Sequence, residues 1–108
     1  MMEKNKKIQT KKSVRPGKDI VASKAESLNK KLHKIIDQGI TELKLDFVNV
    51  TSVDPVGLSV IAATHNTMNN AGAKLLLKNV PDEINTLLDT LGLNKHFEIE
   101  QLKQNQNV

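Results

Sequence analysis

What most limits the fold open to this chain is a repeated change in the spacing of its apolar residues. Ala25, Leu28, Leu32, Ile35 and Ile36 recur every three or four positions, with Asn29, Lys30, Lys31 and Lys34 on the opposite side, which is the pattern of an amphipathic helix. From Leu43 the period drops to two, because Leu43, Leu45 and Phe47 alternate with Lys44 and Asp46 before the run Val48, Val50 and Val53. A strand leading into a loop is predicted there. Helical spacing returns at Val56, Val60, Ile61, Thr64 and Met68, and the apolar run from Lys74 to Val80 reads as a buried strand. A third helical face follows at Ile84, Leu87, Leu88 and Leu91, then a short strand around Phe97 to Ile99. Strands alternating with helices at this spacing predict an α/β fold: one small domain with a mixed, mostly parallel sheet covered by amphipathic helices.

Local signals place the element ends. Pro16-Gly17 marks a turn, and Ser23-Lys24-Ala25-Glu26 has the S-x-x-E form of a capping box, predicting a helix that starts at Ser23. Gly39 offers that helix a left-handed stop. Asp54-Pro55 combines a carboxylate able to cap free amides with a proline whose missing N–H costs nothing at the first helical position. This second helix should run to about Asn70, with Gly72 ending it; Pro81-Asp82 opens the third and Gly92 closes it.

With 108 residues the chain suits one core, and the absence of cysteine excludes disulfides and thiolate metal sites. The net charge of +4 is unevenly placed. Residues 1–18 hold seven lysines and arginines against Glu3 alone, a local +6, which leaves −2 for the rest. The basic character therefore belongs to an N-terminal arm over residues 1–13, able to form at best a frayed edge strand; residues 14–100 form the domain, and 101–108 a polar tail. No apolar h-region follows the early lysines, and runs such as Leu75 to Leu77 are far too short to span a bilayer. A cytoplasmic location without membrane insertion is expected.

Catalytic patterns are missing. There is no H-E-x-x-H, no glycine-rich phosphate loop and no nucleophile beside a histidine, and His33, His65 and His96 fall on three separate predicted elements. Asp46 and Lys78 sit near strand ends as in a phospho-aspartate receiver, but no acidic pair follows the first strand to hold Mg²⁺. The basic arm could touch phosphates non-specifically, yet with no tyrosine or tryptophan nothing offers base contacts. The chain is thus expected to be no enzyme, to need no cofactor or metal and to bind no specific nucleic acid.

Four blocks then acquire a joint meaning: Leu45-Asp46-Phe47, Val53-Asp54-Pro55-Val56-Gly57-Leu58, Ala71-Gly72-Ala73-Lys74-Leu75 and Leu91-Gly92-Leu93. In order and spacing they resemble the STAS domain family over roughly Gly17 to Glu100, and in particular its bacterial anti-sigma factor antagonists. The most specific block is the D-x-x-G-L turn of Asp54, Gly57 and Leu58. In that branch the residue before the glycine is a serine or threonine phosphorylated by a dedicated kinase. Here it is Val56, and the position before it, often serine, is Pro55; neither can accept a phosphoryl group. Ser52 and Ser59, with Thr51, are the nearest remaining hydroxyls, and a phosphate on Ser59 would be tolerated by the positive helix end.

The resemblance implies a protein that works by binding an anti-sigma factor or switch-type protein kinase in signal transduction and transcription regulation, with other STAS proteins as further candidates. It implies a docking surface of Asp54, Pro55, Val56, Gly57, Leu58 and Ser59, extended towards Gly17, Asp19 and Ser23. Loss of the phosphoacceptor would hold that surface in its unphosphorylated chemical state, and it equally suits a scaffold or accessory subunit of a signalling or transport assembly. Each residue also has a plainer structural use: helix capping for Asp54, closure of the core for Val56, and tight helix packing for Gly57 and Leu58.

Overall fold

The computed structural model describes residues 10–93, 95 and 97–101. Four strands, β1 (Lys11–Val14), β3 (Glu42–Asp46), β5 (Lys74–Val80) and β6 (Glu98–Gln101), form one sheet in the order β1-β3-β5-β6. Two-residue strands β2 (Asp19–Ile20) and β4 (Ser52–Val53) form a second small sheet. The helices are α1 (Ala25–Ile36), α2 (Pro55–Asn70) and α3 (Asp82–Thr90), and a single 3-10 turn at Ala22–Lys24 leads into α1. Every strand pair is parallel, so the expected mixed sheet is wholly parallel among the described residues.

The α/β reading holds, and its reason is the two-residue period. Leu43, Leu45 and Phe47 of the β3 segment are buried together with Leu75 and Leu77 of β5, which lie beside them in register. Leu28 and Leu32 from α1, Leu58, Ile61 and Met68 from α2, and Ile84 and Leu88 from α3 complete one core. The single buried polar side chain among the described residues, Thr64, is satisfied because its hydroxyl donates to the Val60 carbonyl at 2.9 Å.

β5 departs from the expected fully buried strand. Lys74 is exposed and Leu76 and Lys78 are half-buried, while Leu75, Leu77 and Val80 are enclosed. The helices use one face of the sheet; the other carries charge pairs such as Lys74–Glu98 at 3.3 Å and Lys44–Glu42 at 3.9 Å. At the N-terminus, β1 begins at Lys11 and pairs with β3 at the sheet edge; Lys11–Ser13 fall within the stretch read as a basic arm or frayed edge strand. Residues 1–9 and 102–108 of the arm and tail lie outside the described residues.

Helix boundaries follow the local signals except at one place. α2 spans Pro55–Asn70 as expected, and Gly39, Gly72 and Gly92 take positive φ after the three helices. The S-x-x-E box does not form: the 3-10 turn and α1 both lack a side-chain cap. The helical path already begins with the 3-10 turn at Ala22, so Ser23 lies inside that turn and not at its cap, and the Ala22 amide is bonded by Asp54, 32 residues away. The α2 stripe is shifted as well. Gly57, Leu58, Ile61, Thr64 and Met68 face the core, while Val56 points out.

Replacing a fully enclosed side chain should cost far more than replacing its neighbour on the polar face. Leu45→Ala should lower unfolding free energy by about 2–5 kcal/mol, and Leu76→Ala by about 1 kcal/mol or less, as read from urea denaturation. Equal losses would contradict the one-sided core.

Candidate docking site at the start of the second helix

Asp54 has extended backbone dihedrals, φ −140° and ψ 169°, which let its side chain fold over the helix it precedes. Its Oδ1 accepts the Gly57 amide at 2.8 Å and its Oδ2 accepts the Ala22 amide at 2.9 Å. Its own amide donates to the Ile20 carbonyl at 3.0 Å. One residue therefore ties together β2, the 3-10 turn before α1, and the start of α2. The amides of Gly57 and then Ala22 stabilise the carboxylate and hold it below its usual pKa, against a smaller opposing effect of burial.

Gly57 makes that junction sterically feasible. A Cβ at this position would overlap the Ile20 carbonyl group and stand 2.6 Å from the Val21 amide nitrogen. The first turn of α2 thus lies directly on backbone, where no side chain fits. Leu58 beside it is fully enclosed. Gly57 and Leu58 accordingly shape the site from beneath and present no side chain to a partner, as their plainer packing role implies.

What remains outside is Pro55, Val56 and Ser59. Val56 is 52% exposed, the most open of the large apolar side chains among the described residues. It therefore does not close the core. The Ser59 hydroxyl donates to the Val56 carbonyl at 2.6 Å. Ser52 donates from Oγ to Asp19 Oδ1 at 2.7 Å, across the β2–β4 pair in which the two residues stand opposite one another. Thr51 Oγ1 makes a longer bond to the Lys18 carbonyl at 3.4 Å. Gly17 and Ser23 are exposed on the segment leading into and out of β2. The nine residues singled out in the sequence so fall at one junction, with seven presenting accessible or part-accessible surface.

The other candidates disperse. His33 lies on α1, its Nδ1 3.1 Å from the Asn29 carbonyl, and His65 lies on α2, edge-on to Phe97 with 5.2 Å between ring centres; His96 lies outside the described residues. Asp46 and Lys78 are neighbours in register, but Asp46 serves as a fastener. Its Oδ1 accepts from Asn79 Nδ2 at 2.9 Å and the Val48 amide at 3.0 Å, and Arg15 lies 4.0 Å away. Burial pushes this carboxyl up, but the Asn79 and Val48 bonds with the charges of Arg15 and Lys78 bring it below its usual range. No group of three or more metal-ligating side chains occurs among the described residues, and no helix there is long and apolar enough to cross a membrane.

Sequence reasoning missed the Asp54–Ala22 bond and strand β2. Two residues are too few for periodicity, and only the polar–apolar step Asp19-Ile20 after Gly17 hinted at them.

Two outcomes test this junction. Gly57→Ala should lower stability by about 1–3 kcal/mol through overpacking against backbone, seen as a lower urea midpoint. Because the folded Asp54 pKa lies below its unfolded value, its charge stabilises the fold above roughly pH 4 and that contribution fades as pH falls through the folded value. Asp54→Asn should therefore melt lower than wild type at pH 7, with the gap narrowing towards pH 3; a gap independent of pH would contradict the charge-assisted cap.

Comparison with known proteins places this geometry in a wider setting. A sequence model of the STAS domain matches residues 2–105. No curated protein gives a significant match. Among solved structures, a sulfate transporter family protein from Wolinella succinogenes is similar with a TM-score of 0.68 and 15% identity, over 89% of this chain and 83% of that one. The anti-sigma factor antagonist SpoIIAA in its unphosphorylated form is similar with a TM-score of 0.64 and 14% identity, over 93% and 87%. At such identities the likeness is one of fold. The family match, spanning nearly all of the 108 residues, agrees with the D-x-x-G-L junction and the parallel sheet, and the chain belongs to the STAS domain family.

Proposed function

We propose that this STAS domain acts in the cytoplasm as a regulatory binding protein of the anti-sigma factor antagonist type, docking a partner through the first turn of α2 rather than catalysing a reaction. The observation that carries the reading is Val56: an apolar side chain, 52% exposed, on a helix start braced by both oxygens of Asp54. A large apolar group held open on a rigid turn loses little conformational entropy when covered, which favours binding. Pro55 stiffens the same turn.

The partner proposed from the family resemblance is an anti-sigma factor or switch-type protein kinase. With valine and proline in place of the hydroxyls, phosphorylation at the family position cannot end docking, so control falls to the amount or state of the partner. The same substitution supports a second reading, a constitutive scaffold or accessory subunit that binds other STAS proteins or a transport assembly.

Val56→Asp is the informative variant, because a carboxylate in the first turn suits the positive helix end and leaves the fold intact while charging the surface. Affinity capture of the chain from native lysate, with mass spectrometry, should recover an anti-sigma factor or switch kinase with wild type and lose it, with affinity reduced roughly tenfold or more, with Val56→Asp. Recovery of the same partner by both proteins would remove this turn as the docking surface. Recovery of STAS proteins or a transporter by both would favour the scaffold. Val56→Ser restores a hydroxyl beside Gly57, and intact mass after incubation with the recovered kinase should show an added phosphate.

A further inference from the structure

The strand order β1-β3-β5-β6 runs in one direction across the sheet, and right-handed crossovers then place each helix over the strands it joins. α1, α2 and α3 therefore lie side by side on the covered face, with α2 in the middle. The three differ in charge. α1 carries Lys30, Lys31 and Lys34 against Glu26, with Asp37 just beyond its last turn. α3 carries Asp82, Glu83 and Asp89 and has no lysine or arginine. α2 has none of the four charged residue types along its 16 residues.

The outer crest of α2 is formed by Val56, Ser59, Ala63, Asn66 and Asn70, all exposed. Their alternating spacing of three and four is that of the a and d positions by which one helix meets another along its length. His65, the sole ionisable side chain of α2, is set against Phe97. A neutral seam thus runs between a basic ridge and an acidic one.

We infer that this face pairs with a second copy of the chain about a dyad that runs along α2. Charge sets both the occupant and its orientation. A face ordered basic, neutral, acidic complements itself when the copy is turned about α2, because the α1 of each copy then lies over the α3 of the other. Turning the copy about an axis across the helices would set α1 on α1 and α3 on α3, like charge on like. The dyad along α2 makes the two middle helices parallel and brings each crest residue to its equivalent. Val56 covers Val56, Ala63 permits close approach, and Asn70 falls at an a position, where a buried asparagine fixes the register of parallel pairs. The 16 residues of α2 run about 24 Å, and three helices spaced by about 8–10 Å span roughly 28 Å. The footprint is roughly 600–700 Å² per copy, against about 800 Å² in a standard interface, which suits a reversible pair. The pairing covers Val56 and so excludes the docking proposed above while it lasts, but it does not rest on that reading.

Sedimentation of the full chain from micromolar to millimolar concentration should show a dimer that grows with concentration; a monomer throughout would overturn the proposal. Lys30→Glu/Lys34→Glu should weaken the dimer by at least roughly tenfold, through repulsion by the acidic α3. Adding Glu83→Lys/Asp89→Lys to the same chain should restore it, with ¹⁵N spectra reporting that each variant keeps the fold. Because the chain has no cysteine, single cysteines report the orientation directly. Asn70→Cys should give a disulfide-linked dimer on mild oxidation, since the parallel arrangement alone brings position 70 to its equivalent within the Cα separation of about 4.4–6.8 Å that a disulfide needs. Lys44→Cys, on the uncovered face of the sheet, should stay monomeric. Dimerisation untouched by the α1 charge reversal, or crosslinking through Lys44→Cys and not Asn70→Cys, would refute this pairing. These readouts need no other protein, so they stand or fall apart from the docking reading.

Discussion

The close contact between the first turn of α2 and the backbone at Ile20–Val21 governs much of this structure. It demands a residue without a side chain at position 57, and it brings the start of α2 near enough to the 3-10 turn for one carboxylate to serve both. The buried face of α2 then follows: once Gly57 is set against backbone, Leu58, Ile61, Thr64 and Met68 are turned inwards and Val56 outwards. The exposed apolar side chain at this turn is a geometric result of the glycine next to it. Any residue at position 56 would be presented in the same way, which is why its chemistry can vary without disturbing the core.

That independence explains what could be read from the residues alone. The α/β class, the span of α2 and the span of β5 were legible because each rests on local regularities: a period of two or 3.6, a capping aspartate, a proline at the first helical position and a glycine beyond the last. The D-x-x-G-L turn was legible as a motif. Its mechanical cause was not, since the Ile20 carbonyl that excludes a side chain at Gly57 is contributed by a strand of only two residues. The false capping box at Ser23 shows the same limit. Serine and glutamate stood at the right spacing, but the 3-10 turn starts one residue before Ser23 and draws it inside, with its first amide, that of Ala22, bonded by a carboxylate remote in sequence.

One-sided coverage of the sheet was hidden for a related reason. Leu75, Leu76 and Leu77 are adjacent and look alike in sequence, yet only the first and third are enclosed. Whether a leucine in a parallel strand meets a helix or solvent depends on how many layers the chain can build, and three helices suffice for one. The outer face relies on alternating lysines and glutamates, whose pairs contribute little individually but keep an uncovered sheet polar.

The junction is joined by contacts between distant parts of the chain. Asp19 meets Ser52 across 33 residues and Ala22 meets Asp54 across 32, and neither two-residue strand could persist alone. Closing loops of this length before any reward arrives is entropically costly, so such contacts tend to form late. The Val56 turn therefore takes its final shape only once both halves of the domain have come together. A nascent or damaged chain could be rich in helix and still lack it. The surface proposed for docking would consequently double as a certificate of maturity, withheld from incomplete chains by the order in which the chain can close.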